Sequence, residues 1–411
     1  MSRIVFLQKA VNAVVEAGGN KTAAAETLGI PRTTLNDRLA EARRTGVIPS
    51  IEAPDVEAKL AEAEYRHTQE VRSLERQLRA ATTNAVTEEA IRNVYLELGG
   101  TELAAPRWLR QTSRAVENSA GVPTLFLSDY HWGEVVSSEE VNGQNTYNPE
   151  IARERHELTI NRAVDLCKNH MVGNDYPGIV VALGGDMVSG EIHPEITATN
   201  SGSVLEQLFE VGAELKRAIT YIADEFGAVF VPTAFGNHAR TTFKPGFKQA
   251  AKNNVDWALY MFLASLFKDD DRVTIHVPKS FDSHFRIFDT SYLLTHGDRL
   301  GVAGGSGEIG MLSPIARGVK RLKAQYSDFN IDIDYVMMGH YHHRLRLPDA
   351  MVNGSIKGYD EFAMGMRFSP QAPQQALWFT HPRHGVTFEC PIFSGEVAPA
   401  AHNPWVAWKP V

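Results

Sequence analysis

Between Val122 and Met338, short apolar runs alternate with long stretches of helical periodicity. The runs are Thr124–Ser128, Gly178–Leu183, Ala228–Phe235, Ser291–Thr295 and Tyr335–Met338. Helices are expected between them over Pro149–His170, Val204–Phe226, Phe247–Phe267 and Pro314–Tyr326. A run this short and apolar at nearly every position is a strand covered on both faces. Strands of that kind alternating with helices make a layered α/β domain.

Each run leads into residues that can bind a metal. The first gives "SDYHWGE" with Asp129 and His131, the second "GGDMVSG" with Asp186, and the third "FGNHAR" with Asn237 and His238. The fourth gives "THGDRLG" with His296, and the fifth "GHYHH" with His340, His342 and His343. Open α/β sheets gather ligands beyond the carboxyl ends of their strands. In extended chain, residues two apart share a side, so Asp129 with His131, and His340 with His342, can each face one point. Carboxylate with imidazole suits first-row metals such as Mn, Fe, Zn or Co.

The ordered set D-x-H, G-D, G-N-H, H and G-H-x-H resembles the calcineurin-like metallophosphoesterase superfamily over about Pro123–Phe393. The resemblance implies a four-layer αββα sandwich with a two-metal site and a bridging hydroxide. It assigns Asp129, His131 and His342 to one metal, and Asn237, His296 and His340 to the other. Asp186 would bridge them, and His238 would contact phosphate and protonate the leaving oxygen. The cofactors implied are two divalent ions, Mn2+ foremost, with Fe, Zn, Co or Ni as alternatives. One departure is Ala239-Arg240, where the superfamily usually places Asp or Glu after G-N-H. Asp298 is a candidate substitute for that acid, and Arg240 and His193 are candidates for substrate contact. His343 is expected beside the ligands or exposed, and Trp132 and Cys167 are expected to pack.

The N-terminal segment differs in kind. Ile4, Leu7, Val11 and Val14 fall on one helical face, and "AGGN" at Ala17–Asn20 ends that helix. "GNKTAAAETLGIPRTTLNDRL" then reads as two helices with a turn at Gly29, and Pro31 opens the second. It resembles the Fis-type helix-turn-helix over about residues 3–44. The resemblance implies Ala25 at the helix crossing, Leu28, Ile30, Leu35 and Leu39 as core, and DNA contact through Arg32, Thr33, Thr34, Asn36 and Arg38. Residues 1–50 carry seven Lys/Arg against four Asp/Glu, whereas the whole 411-residue chain has a net charge of −8. A basic head on an acidic body fits a polyanionic partner for the head.

The expected organisation is therefore a helix-turn-helix domain at 1–48, a helical linker with a short coiled coil at 49–120, the phosphoesterase domain at 121–395, and a tail at 396–411. Two cysteines far apart exclude a disulfide framework and fit a reducing setting. No run is long enough to span a bilayer, and the N-terminus has no signal-peptide pattern. The expected location is the cytoplasm, the expected partners are DNA and, where the linker helix pairs, a second copy in a homodimer, and no membrane is expected. The leading function is a metal-dependent DNA phosphodiesterase. The alternatives are a phosphomonoesterase, nucleotide phosphatase or protein phosphatase localised by the head, and a DNA-binding regulator with an inert phosphoesterase domain.

Overall fold

Three helices, α1 (Arg3–Glu16), α2 (Lys21–Leu28) and α3 (Arg32–Thr45), form the described part of the N-terminal unit. The computed structural model describes residues 3–47, 105–111, 121–171, 175–300 and 307–395. The chain divides into two units, Met1–Glu88 and Glu89–Val411. The expected linker at 49–120, apart from residues 105–111, and the tail at 396–411 lie outside the described residues.

In the first unit the α2 entry is capped by Asn20, whose Oδ1 accepts from Thr22 N at 3.1 Å and Ala23 N at 3.3 Å. Gly29 closes α2 at φ 61°, a left-handed turn that a Cβ would strain. Ala10, Ala13, Ala24, Ala25 and Leu35 are buried together, with Val14, Leu28, Ile30 and Leu39 packed around them. Small side chains at the crossing let the three axes approach closely. Ile4, expected on the buried face, is 61% exposed. Leu7 of that face is buried, and with Ala10 and Ala13 it marks a buried stripe turned away from Ile4 around the helix axis.

The second unit contains two sheets. One has the order β11-β10-β1-β2-β3-β4, from β1 (Val122–Leu127), β2 (Ile179–Leu183), β3 (Val229–Pro232), β4 (Val273–His276), β10 (Gln374–His381) and β11 (Gly385–Phe393). The other has the order β5-β6-β7-β9-β8, from β5 (Ser283–Ile287), β6 (Thr290–Leu294), β7 (Tyr335–Met338), β8 (Leu345–Leu347) and β9 (Ala350–Val352). β1 to β4 run parallel, as do β6, β7 and β9. Parallel neighbours need long crossovers. In the first sheet these contain the helices α4 (Pro149–Asp165), α5 (Pro194–Thr199), α6 (Val204–Phe226) and α7 (Val255–Leu266). α8 (Gly307–Asp328) links β6 to β7, and α9 (Glu361–Gly365) is a single turn.

Strand alternation divides the side chains between layers. Phe126, Val180, Phe230 and Trp378 of the first sheet share a core with Phe285, Tyr292 and Met337 of the second. The opposite face of the first sheet packs Leu125, Leu127, Val181 and Leu183 against Leu208, Val211, Leu215, Ile219 and Ile222 of α6. The i, i+3, i+4 spacing along α6 places those residues in one stripe. The far face of the second sheet packs Leu293, Val336 and Met338 on Met311, Ile315 and Val319 of α8. The order of layers is helix, sheet, sheet, helix.

Two helices start elsewhere than expected. The one expected from Phe247 begins at Val255, because Asn254 caps it and residues 241–249 form an exposed loop. The one expected from Pro314 begins at Gly307 and carries Pro314 inside it. The strand expected over Ala228–Phe235 is shorter, at Val229–Pro232. Strands β4, β5 and β8 to β11 had no counterpart among the expected runs. β4, β5 and β11 are exposed or half-exposed along much of their length, and so lack the continuous apolar run of β1, β2, β3 and β7.

Candidate metal centre

The register of the parallel strands brings the polar turns to one edge. Leu127 pairs with Leu183, and beyond them Asp129 N donates to Gly185 O at 3.0 Å and His131 N to Asp186 O at 2.9 Å. In the second sheet, Gly339 N donates to His296 O at 2.9 Å. Two hydrogen bonds tie the sheets together there. His340 N donates to Asp129 Oδ1 at 2.8 Å, and His296 Nδ1 lies 2.8 Å from Gly184 O.

The seven residues read as ligands converge. Ligand atoms lie within 4.8 Å of one another in each of three groups: Asp129, His131 and His342; His131, Asp186 and His238; and Asp186, His296 and His340. Asn237 Oδ1 is 3.1 Å from His296 Nε2, whose other neighbour is Asp186 Oδ2 at 3.0 Å. His131 Nε2 faces His342 Nε2 at 3.0 Å, and Asp129 Oδ1 is 3.6 Å from the latter. Such clusters of His and Asp can bind metal ions.

The backbone is strained at these positions. Asp129, His131, Asp186, His340 and His342 have φ of 55, 47, 51, 72 and 56°, in the left-handed region. A non-glycine residue there costs about 1 kcal/mol or more, and such strain clusters at functional sites. Two glycines are required by close approach. A Cβ at Gly236 would meet the Asp186 carboxylate, and one at Gly339 the Asp129 carboxylate.

The donor set fits divalent cations. Burial, reinforced by Lys357, holds the His131 imidazole well below its usual pKa. Burial likewise holds His340 and His342 to about 3. All three are neutral at neutral pH, the form that ligates metal. Burial pushes the Asp186 carboxyl up, but His296 foremost outweighs it and holds it well below the carboxylate range. Burial pushes His296 down, but Asp186 outweighs it and holds the imidazole protonated. A cation is thus favoured at His296 Nε2 beside Asp186, and a divalent ion there would take the place of that proton. His296 Nδ1, by donating to Gly184 O, aims Nε2 inward. His131 Nδ1 is buried 3.4 Å from Glu134 Oε2, without a hydrogen bond among the described residues.

His238 stands at the rim. Its backbone N donates to Asp186 Oδ1 at 2.8 Å, and its Nδ1 lies 3.3 Å from Ser189 O. Burial holds its pKa to about 4. Ala239 is fully buried, and its methyl offers no hydrogen-bonding group to the ring. His193 is exposed, with its ring 5.4 Å from that of His238. Arg240 turns away to donate to the carbonyls of Asn237, Thr242 and Phe243. His343 is buried, 3.1 Å from Ser369 O, and Trp132 is buried with Nε1 donating to Glu210 at 2.8 Å. In the head, Arg32, Thr33 and Asn36 are exposed on α3, while Thr34 and Arg38 are half-buried.

Several supporting residues carried no sequence signal. Asp256, fully buried, accepts from Asp186 N at 2.8 Å, Gly236 N at 2.9 Å and Met187 N at 3.2 Å. Asn254 Nδ2 donates to Gly236 O at 2.7 Å. In "NNVDWAL" both look like an ordinary helix start. Ser128 Oγ donates to Asp129 Oδ2, and Asn353 Nδ2 to Phe126 O at 3.0 Å. Behind His131 and His342, the buried Lys357 pairs with Glu134 at 2.8 Å and Asp360 at 2.6 Å. Burial pushes the lysine pKa down, but the two carboxylates outweigh it and hold the ammonium charged.

Among the described residues, no helix is long and apolar enough to cross a membrane. Residues 12–41 match the family described as bacterial regulatory protein, Fis family. No curated protein matches the chain. Among solved structures, it is similar to a Staphylococcus aureus protein assigned as a 5'-nucleotidase, in complex with alpha-ketoglutarate, at 13% identity and a TM-score of 0.30. That match covers 69% of this chain and only 56% of the other. What the comparisons place is the head: residues 12–41 are similar to the Fis-family helix-turn-helix.

Proposed function

We propose that the sheet domain is a calcineurin-like metallophosphoesterase and that the whole chain is a DNA phosphodiesterase, brought to its substrate by the helix-turn-helix. The carrying observation is the convergence of Asp129, His131, Asp186, Asn237, His296, His340 and His342 at one sheet edge, with His238 beside them. Asp129, His131 and His342 would hold one divalent ion, Asn237, His296 and His340 a second, and Asp186 both. Bound there, two ions such as Mn2+ would supply positive charge for phosphate oxygens and make a shared water more acidic.

The chain's own groups do the rest. Phosphate entering the site faces His238, whose Nδ1 is committed to Ser189 O. That leaves Nε2 to carry a proton to the leaving oxygen. Negative charge on the phosphate favours the imidazolium, so His238 gains its proton as substrate binds. The buried Lys357 pair and Asp256 keep the ligand loops in place without touching substrate. The Fis-type head supports DNA as partner, since a helix-turn-helix places its second helix in the major groove.

A panel with Mn2+ tests the reading, comparing single-stranded DNA, duplex DNA, bis(p-nitrophenyl) phosphate and p-nitrophenyl phosphate. DNA and the diester are expected to be hydrolysed, with EDTA abolishing both. Removing residues 1–47 is expected to weaken duplex binding, in a salt-dependent way, and to spare diester turnover. Hydrolysis of the monoester alone would make the enzyme a phosphomonoesterase. No hydrolysis at all would leave a DNA-binding protein with an inert domain.

A further inference from the structure

The loop between β3 and α7 contains "ARTTFKPGFKQAAKN", from Ala239 to Asn253. Phe243 and Phe247 on it are 73% and 83% exposed, more than any other large apolar side chain among the described residues. They alternate with Lys244 and Lys248, also exposed and without an ion pair among the described residues. The arginines have a different task. Arg240 donates to the Asn237 and Thr242 carbonyls, both at 3.0 Å. Arg299 donates to Gly246 O at 3.0 Å and packs 4.0 Å from the Phe281 ring and 5.5 Å from Phe247. The arginines thus hold the loop's backbone in shape, while the lysine and phenylalanine side chains stay exposed.

Under the loop lies a cavity of about 170 Å³, lined by Asn237, Arg240, Lys244, Lys248, Asp298 and Arg299 among others. Asn237 is a candidate metal ligand, so cavity and metal centre share a wall. Four cations against one carboxylate gather here, in a chain whose net charge is −8. Exposed flat rings alternating with uncommitted cations call for a ligand of alternating flat rings and anions. An unpaired polynucleotide has that chemistry, since its bases stack on aromatic side chains and its phosphates meet lysines. A duplex keeps its bases stacked inside, and an acidic peptide brings charge without regularly spaced rings.

We infer that residues 240–250 form an arm that holds single-stranded nucleic acid beside the metal centre, an inference that rests on the phosphoesterase reading for where that strand leads. The experiment measures binding of a short fluorescein-labelled single-stranded oligodeoxynucleotide to the full chain in EDTA, where nothing is cleaved. The double variant Phe243→Ala with Phe247→Ala is expected to weaken binding about tenfold or more. Lys244→Ala with Lys248→Ala is expected to lower the salt slope of log K by about 1.4, for two phosphates. Phe247→Trp is expected to keep the affinity. A labelled duplex, bound by the head, is expected to change less than about twofold in each variant. Single-strand affinity within about twofold of the parent in both double variants would overturn the inference, as would equal losses on duplex and single strand. Loss of single-strand binding in a chain that hydrolyses no diester with Mn2+ would keep the arm and remove the phosphoesterase reading.

Discussion

The head and the sheet domain place their candidate functional groups by opposite means. In the head, the polar candidates sit on one regular helix, α3, whose geometry needs only a small apolar core and a glycine turn. In the sheet domain the candidates sit on turns beyond five strands, and five of them occupy left-handed backbone. A regular helix displays side chains without strain and can read a surface. A metal centre needs groups from distant segments within a few ångströms, so it is built from strained turns held by buried polar contacts. The difference predicts that damage to the head stays local, whereas damage to the network beneath the turns reaches the chemistry.

The largest effect is expected from Asp186→Asn. Its carboxylate faces both candidate ion positions, so metal content should fall at both and diester turnover should be lost. Metal analysis alongside kinetics checks this, and unchanged stoichiometry and turnover would remove Asp186 from the centre. His238→Ala should keep the metal and lose turnover by about 10²–10⁴-fold. That loss should shrink for nitrophenolate esters, whose leaving group needs no proton. An equal loss on every leaving group would make His238 a phosphate-binding residue only.

A pair of core variants sharpens the comparison most directly. Asp256→Ala leaves three buried N–H donors unpartnered, at about 1–3 kcal/mol for each unsatisfied group. It should lower the melting temperature of the sheet domain and depress diester turnover together. Leu35→Ala, at the centre of the head, should cost about 2–5 kcal/mol by cavity formation. That exceeds what a unit with so small a core can lose, so the head should unfold while diester turnover persists. Calorimetry with activity assays on both variants separates the two units. Loss of turnover in Leu35→Ala would show that the two are coupled.

The turns that carry the candidate ligands could be read from the chain because their signal is local. A continuous apolar run marks a doubly covered strand, and Asp129, Asp186, Asn237, His296 and His340 follow within a few residues of its end. Gly29 and Asn20 in the head are local signals of the same kind. Strands β4, β5 and β11 escaped because they are exposed or half-exposed along much of their length, and β8 and β9 because three residues are too few to make a run; β10 does carry one, Ala376–Phe379. The false helical start at Phe247 has another cause. Its residues are compatible with a helix, but the cap at Asn254 and the positive φ of Gln249 start α7 later.

What the sequence by itself determined is which residues are available to bind metal or DNA, and on which side of a strand end or a helix they sit. Periodicity and turn chemistry act over a few residues and leave their trace in order along the chain. Only the tertiary structure decided that Asp256 accepts from three backbone donors under the site, and that Lys357 stands charged behind His131 and His342. It also decided that Arg240 is used up inside its own loop, while Phe243 and Phe247 stay exposed. Those outcomes depend on contacts between segments far apart in sequence. A carboxylate at a helix start, or a lysine after a strand, looks the same in the chain whether it ends in water or beneath a candidate metal centre.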